Sequence, residues 1–229
     1  MFEASDVLVT DAWRSAFPDS HVGVLLLEGV VNEPATAALQ RRAHEIESQL
    51  RDRFAAADRA ALTALPSIQA YQRHYRGFGQ TYHVLRQLES VALKGKQLSS
   101  PSGLVLAMFA AELHSLLLTA GHDADALQPP LVVDRSTADE RFAGLGQREH
   151  VLRDGDMLMR DQLGIISAVV YGPDQRTRLV DSTRRVLFTT YAPEGIGADE
   201  VLRHLDQLAS LARLAAPSAA IRLRALYPG

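Results

Sequence analysis

Cysteine is absent from the 229-residue sequence. Its absence excludes disulfides, thiol catalysis and thiolate metal sites, and it fits a reducing compartment. Long apolar runs are missing too. The longest uncharged one, Gly103 to Ala111, is far short of the roughly 20 residues that a membrane-spanning helix needs. The opening MFEASDVLVTDAW has neither the basic start nor the apolar core of a secretory signal. Charge of one sign is not in excess: 24 Lys and Arg stand against 27 Asp and Glu, a net of −3, so no global field draws the chain to nucleic acid or an anionic membrane. The composition points to a soluble, cytoplasmic protein without a membrane partner.

Several chemical signatures are absent as well. There is no phosphate-binding P-loop, no HExxH and no serine in a GxSxG elbow. Gly195-Ile196-Gly197 lacks the third glycine and the preceding strand of a dinucleotide site, and no cofactor is expected. Internal repeats, linkers and low-complexity segments are not found.

What is present is a chain long enough to bury a full core, with 47% apolar and 22% charged residues. His21 to Leu27 reads as a short buried strand, bounded by polar and glycine residues. Asn32 and Pro34 look like a cap and a first-turn proline opening a helix that runs to about Leu65. Pro66 starts a second helix on which Ile68, Tyr71, Tyr75, Phe78, Tyr82, Leu85 and Leu88 recur every three or four residues, broken near Gly77 and Gly79. This stripe reads as aromatic core, with a base-stacking face as the alternative. Leu104 to Ala120 reads as a third helix, apolar all round and therefore central, with Gly121 at its end. On such a helix Glu112 needs a partner or a wet pocket.

From Pro129 onward short strands follow: Leu131 to Asp134, His150 to Arg153, Met157 to Arg160, Gly164 to Tyr171 and Val186 to Tyr191, with a hairpin turning at Asp161 to Gly164. A helix from Gly197 to Ala215 and a strand from Ile221 to Tyr227 complete the pattern. The expected architecture is one α/β domain over residues 1–229. It has a strand-and-helix extension at 1–65, a core at 66–195, and a helix and strand at 196–229 packed on that core.

Polar groups collect between Tyr171 and Thr183, at the end of an apolar strand, where binding sites are commonly built. Asp174, Gln175, Arg176 and Thr177 are the candidates there. Gly121-His122-Asp123 joins an imidazole to a carboxylate next to a helix end. It reads as a tight turn with local hydrogen bonds, or as an oriented base, or as half of a metal site.

The stretch from Pro101 to about Thr190 resembles the B3/B4 domain, the editing module of the phenylalanyl-tRNA synthetase beta subunit. The residues that carry the likeness include LVLAMFAAEL (Leu104 to Leu113), TAGHDAD (Thr119 to Asp125), ERFAGLG (Glu140 to Gly146) and STRRVLF (Ser182 to Phe188). HVGVLLLEGV and TYHVLRQLESVALKGK extend it towards freestanding bacterial and archaeal proteins of that family. The resemblance implies a β-sandwich of unusual topology flanked by helices, with a pocket between sheet and helices that receives the aminoacyl end of tRNA. Within it, Met108-Phe109 stand where the synthetase has a polar Thr-Asn pair, and Ala120 stands where it has a histidine.

The implied site has His122, Asp123 and Glu112 as catalytic candidates. Met108, Phe109, Asp174, Gln175, Arg176 and Thr177 contact substrate, and Lys94 and Lys96 contact phosphate. Two functions follow. One is an editing-like module that binds aminoacyl-tRNA and hydrolyses mischarged esters in trans, because a second site supplies selectivity that one pocket lacks. The other is a non-catalytic module for a free amino acid, a nucleotide or a protein partner. A metal-dependent hydrolase using His122, Asp123 and a second histidine is a third reading.

Overall fold

The structure is a computed structural model that describes residues 3–229. It is a mixed α/β protein with two principal sheets and seven α-helices among the described residues. The first sheet has the order β1 (Val7–Val9), β4 (Leu131–Arg135), β7 (Met157–Asp161), β8 (Gly164–Ala168), β9 (Gly172–Pro173). The second has the order β11 (Ala220–Pro228), β2 (His21–Glu28), β10 (Arg185–Ala192), β3 (Thr119–Asp123). β5 (Arg141–Gly144) and β6 (Arg148–Val151) form a separate hairpin.

The apolar run of β2 is explained by its place. It pairs antiparallel with both β10 and β11 and is buried from Val22 to Leu27, so it has no solvent face to alternate towards. Helix α7 (Ala198–Ala215) lies against it at Gly23, where an added Cβ would come within 2.6 Å of Val201. Helix α6 (Gly103–Ser115) packs between α7 and α2 (Ala37–Arg53), as its all-round apolar surface requires. The second sheet thus takes strands from each of the three stretches marked out in the sequence.

Several expectations change. The helix expected from Asn32 to Leu65 is two helices, α2 and α3 (Arg59–Thr63). Asp58 caps the second, accepting a hydrogen bond from Ala61 N–H, and it marks a break that a run of alanines conceals. The cap of α2 is Thr36 rather than Asn32. Asn32 is buried and bonds to Val180 and Ser102 instead. The third helix ends at Ser115, not Ala120, because Leu116 adopts a left-handed conformation with φ of 64°. Gly121-His122-Asp123 is consequently not a turn but strand β3, paired with Val186 to Phe188 of β10.

The break near Gly77 is present, between α4 (Pro66–Gly77) and α5 (His83–Leu88). Tyr71, Tyr75 and Tyr82 are buried core, and each hydroxyl donates to a backbone carbonyl, of Tyr191, Val169 and Leu116 respectively. Strand β1 and helix α1 (Asp11–Ala16), which buries Trp13, have no counterpart in the sequence reading, and neither does β5. They are short, and three to six residues carry little periodicity.

Candidate functional site

A cavity of about 400 Å3 opens between α6 and the two sheets. On α6 it is lined by Val105, Met108, Phe109 and Glu112, a spacing of three and four residues that puts one face of the helix on the opening. Leu118 to Gly121 form the opposite wall. Ser167 to Val169 and Tyr191 come from the facing sheets, where Ser167 and Tyr191 share a 2.7 Å hydrogen bond between hydroxyls. The mouth is framed by Leu145, which is 53% exposed at the hairpin tip, and by a strap that runs from Gly172 to Leu179. The strap lies directly on β3: a Cβ at Gly121 would come within 3.2 Å of Leu179.

Glu112 is the one acidic side chain that lines the cavity, and it is 1% exposed. Oε1 accepts the Thr119 N–H at 2.8 Å, a contact made possible by the left-handed turn at Leu116, while Oε2 has no partner. Burial pushes the carboxyl up from its usual 4.5 to about 8, against the opposing pull of the Thr119 hydrogen bond. Folded Glu112 therefore keeps its proton at neutral pH while the unfolded chain releases it. Its contribution to stability is fully present below about pH 4.5 and is lost as the pH rises towards about 8. The urea midpoint is expected to fall over that window, and the fall to be shallower in Glu112→Gln. Equal slopes in the two proteins would contradict the assignment.

The other sequence-derived candidates divide into three groups. Asp174, Gln175 and Arg176 line a separate polar groove on the outer side of the strap, with Arg141 and Leu163. Gln175 is occupied there in holding the hairpin: its Oε1 accepts Gly146 N–H and its N–H donates to Ala143, each at 2.8 Å. His122, Asp123 and Thr177 line neither opening, and sit in a buried network. Asp174 Oδ1 accepts both the backbone N–H and the hydroxyl of Thr177. The Thr177 oxygen then receives His122 Nδ1–H at 2.7 Å, which leaves Nε2 unprotonated and without a partner. Burial lowers His122 to about 3, helped by Arg176, so the ring is neutral. Asp123 accepts from Asp125 N–H and from the Thr183 hydroxyl, at 3.0 and 2.8 Å. Arg176 joins Ala126 O and Asp161, at 2.7 and 2.9 Å. Lys94 and Lys96 are exposed on the loop after α5 and line neither opening.

The residue that sequence reasoning passed over is Arg178. It lines both the cavity and the groove, is exposed, donates to Gln175 O at 2.9 Å and has no carboxylate partner among the described residues. The signal was its place in the polar stretch after β8. Nothing in the sequence separates it from Arg176, which is paired. Leu145 was also missed, since a single exposed leucine carries no information by itself. Among the described residues no three His, Asp or Glu side chains gather as a metal site would need. No helix among them is long and apolar enough to cross a membrane.

No family model matches the sequence, and no curated protein matches it. Among solved structures, an N-terminal fragment of the phenylalanyl-tRNA synthetase beta-subunit from Pyrococcus horikoshii is similar, with a TM-score of 0.48 and 13% identity over 97% of this chain. The chain spans about half of that fragment, 54% of its length.

Proposed function

We propose that this chain is a binding module for the aminoacyl end of an RNA, with the acyl group in the apolar cavity and a nucleotide phosphate on Arg178. The observation that carries this reading is the unpaired Arg178 guanidinium, shared between an apolar cavity and a polar groove. A ligand that fits both openings has an apolar part, a junction bearing negative charge, and a polar extension. A guanidinium offers planar, paired donors suited to phosphate oxygens. The resemblance of Pro101 to Thr190 to the B3/B4 editing domain supports the same ligand class.

Binding is favoured over hydrolysis. The cavity offers no imidazole held by a carboxylate: His83 on its lining has no carboxylate partner among the described residues, and the His122 ring is bonded to Thr177 beneath the strap. Met108 and Phe109 keep the floor dry, and a dry floor suits side-chain recognition better than water activation.

The test uses an amide analogue of 3′-phenylalanyl-adenosine monophosphate, which is stable to hydrolysis. It should bind the wild type. Arg178→Ala should weaken it by at least about tenfold, the loss of one charge-assisted contact, with an unchanged melting temperature because Arg178 is exposed. Equal affinity for both proteins, or for the analogue lacking its phosphate, would remove the reading. Mischarged tRNAs in the same assay test editing: release of amino acid dependent on Glu112 or His122 would restore the hydrolase. Binding of free amino acid without the nucleotide would favour the small-molecule module.

A further inference from the structure

The cavity contains one polar group whose bonding is incomplete. Glu112 Oε2 is fully buried yet has no donor, in a lining made otherwise of apolar side chains, backbone, three hydroxyl-bearing residues, His83 and, at the mouth, Arg178. A native structure satisfies nearly all such atoms, and one that is left open on a cavity wall is a place for a ligand donor. Its partner atom Oε1 is fixed by Thr119 N–H, so the carboxyl is held in orientation before any ligand arrives.

We infer that Glu112 is a receptor for a primary ammonium group carried by a ligand with an apolar body. Resting on the reading of the cavity as an acyl site, this assigns the α-ammonium of the bound aminoacyl group to Glu112. It also makes the site selective for acyl groups whose amine is free. An ammonium has three donors and no acceptor. Glu112 Oε2 supplies one acceptor, and the Ser167, Tyr191 and Thr119 hydroxyl oxygens are the other side-chain oxygens in the cavity lining. An N-acylated or deaminated acyl group offers fewer donors and no charge.

The electrostatics around Glu112 fit this assignment. The groups packed about it are Tyr71 and Tyr75 on α4, Tyr82 at the start of α5, and Tyr191 on β10; burial raises all four hydroxyls far above neutrality, so none is anionic. From α7, His204 approaches through Thr119 Oγ1 at 2.8 Å, and burial keeps it neutral, lowered to about 3. His83 and Arg178 stand on the cavity lining as well. Arg178 repels a cation, so the amine belongs at the Glu112 end and the anionic part of the ligand at the strap. A protonated Oε2 presents its own hydrogen to the ammonium and is a poor acceptor for it, and the incoming charge favours ionised Glu112. Binding near pH 7 is therefore coupled to the release of up to about nine-tenths of a proton, the fraction held by an acid with a pKa of about 8.

Two probes of the same shape test the assignment, 2-phenylethylammonium and the neutral 2-phenylethanol. Isothermal titration at neutral pH, repeated in phosphate and in Tris, reads both affinity and proton release. The wild type should bind the amine at least about tenfold more tightly than the alcohol, with a proton released into the buffer. Glu112→Gln keeps an oxygen for Thr119 N–H. It should lose the preference for the amine over the alcohol and release no proton. Equal affinity for the two probes, amine binding without proton release by the wild type, or no binding of either at millimolar concentration would each overturn the assignment. The phosphate-bearing analogue separates this from the RNA-end reading. Failure of that analogue with amine selectivity intact removes the RNA end alone. Its binding without proton release removes the ammonium receptor alone.

Discussion

Asp156→Ala is expected to lose about 3–5 kcal/mol of folding stability, the range for a buried charged partner removed from its network. Asp156 is fully buried, and its carboxylate gathers three separate pieces of chain. His74 Nε2 on α4 approaches Oδ1 at 2.7 Å, Met157 N–H donates to the same oxygen, and Val170 N–H donates to Oδ2 at 2.9 Å. Burial raises the carboxyl, and His74 and the two backbone donors oppose that rise. Alanine would leave buried donors without an acceptor and a void where the carboxylate sat. Asp156→Asn should lie between the two, because it keeps one oxygen but turns an amide against the donor on the other side. Urea unfolding at neutral pH measures the losses, and an alanine variant within 1 kcal/mol of wild type, on the order of a surface substitution, would show that the network is ornamental to the fold.

Arg176→Met should be nearly as damaging at neutral pH, with a different response to acid. Asp161 has a side chain with no exposure; it accepts from Gln128 N–H, Leu163 N–H and Arg176, each at 2.9 Å. Asp174 lies on the other side of the same guanidinium, 3.6 Å from Nε. Methionine fills the space and leaves two enclosed carboxylates facing each other. The expected loss is about 3 kcal/mol, towards the lower end for a broken buried pair because about a third of the Arg176 side chain is exposed. Burial already raises the Asp174 carboxyl against the pull of Arg176, and without that cation it rises further above its value in the unfolded chain. The deficit should therefore be largest at neutral pH and shrink as the pH falls and Asp174 is protonated. A deficit that grows in acid would contradict this sign.

The two networks explain how unevenly the sequence disclosed the site. The all-round apolar character of α6 marked it as central, and a glutamate on such a helix stood out as the residue most in need of an explanation; it lines the cavity. Chemical type gave less guidance. His122, Asp123, Asp174 and Arg176 look like site residues because they are polar and close in sequence. His122 and Asp123 lie in a buried network, while Asp174 and Arg176 line the outer groove with their polar atoms bonded to Thr177 and Asp161. The decisive feature was a single left-handed residue, Leu116, which ends the helix early and makes His122 part of a strand. Leucine gives no sign of that conformation, since glycine is the residue that usually marks it. Most of the longer strands were legible singly, from apolar runs and turns, whereas β1, β3 and β5 were not. Which strands pair was not, because β2 and β10 are joined only by contacts remote in sequence.

That pairing has a consequence for how the protein is made. The β2 strand, apolar from Val22 to Leu27, leaves the ribosome roughly 160 residues before its partner β10, which at translation rates of about 5–20 residues per second is a wait on the order of ten to thirty seconds. Through that interval the nascent chain carries an unpaired, sticky strand that only its own later residues can cover.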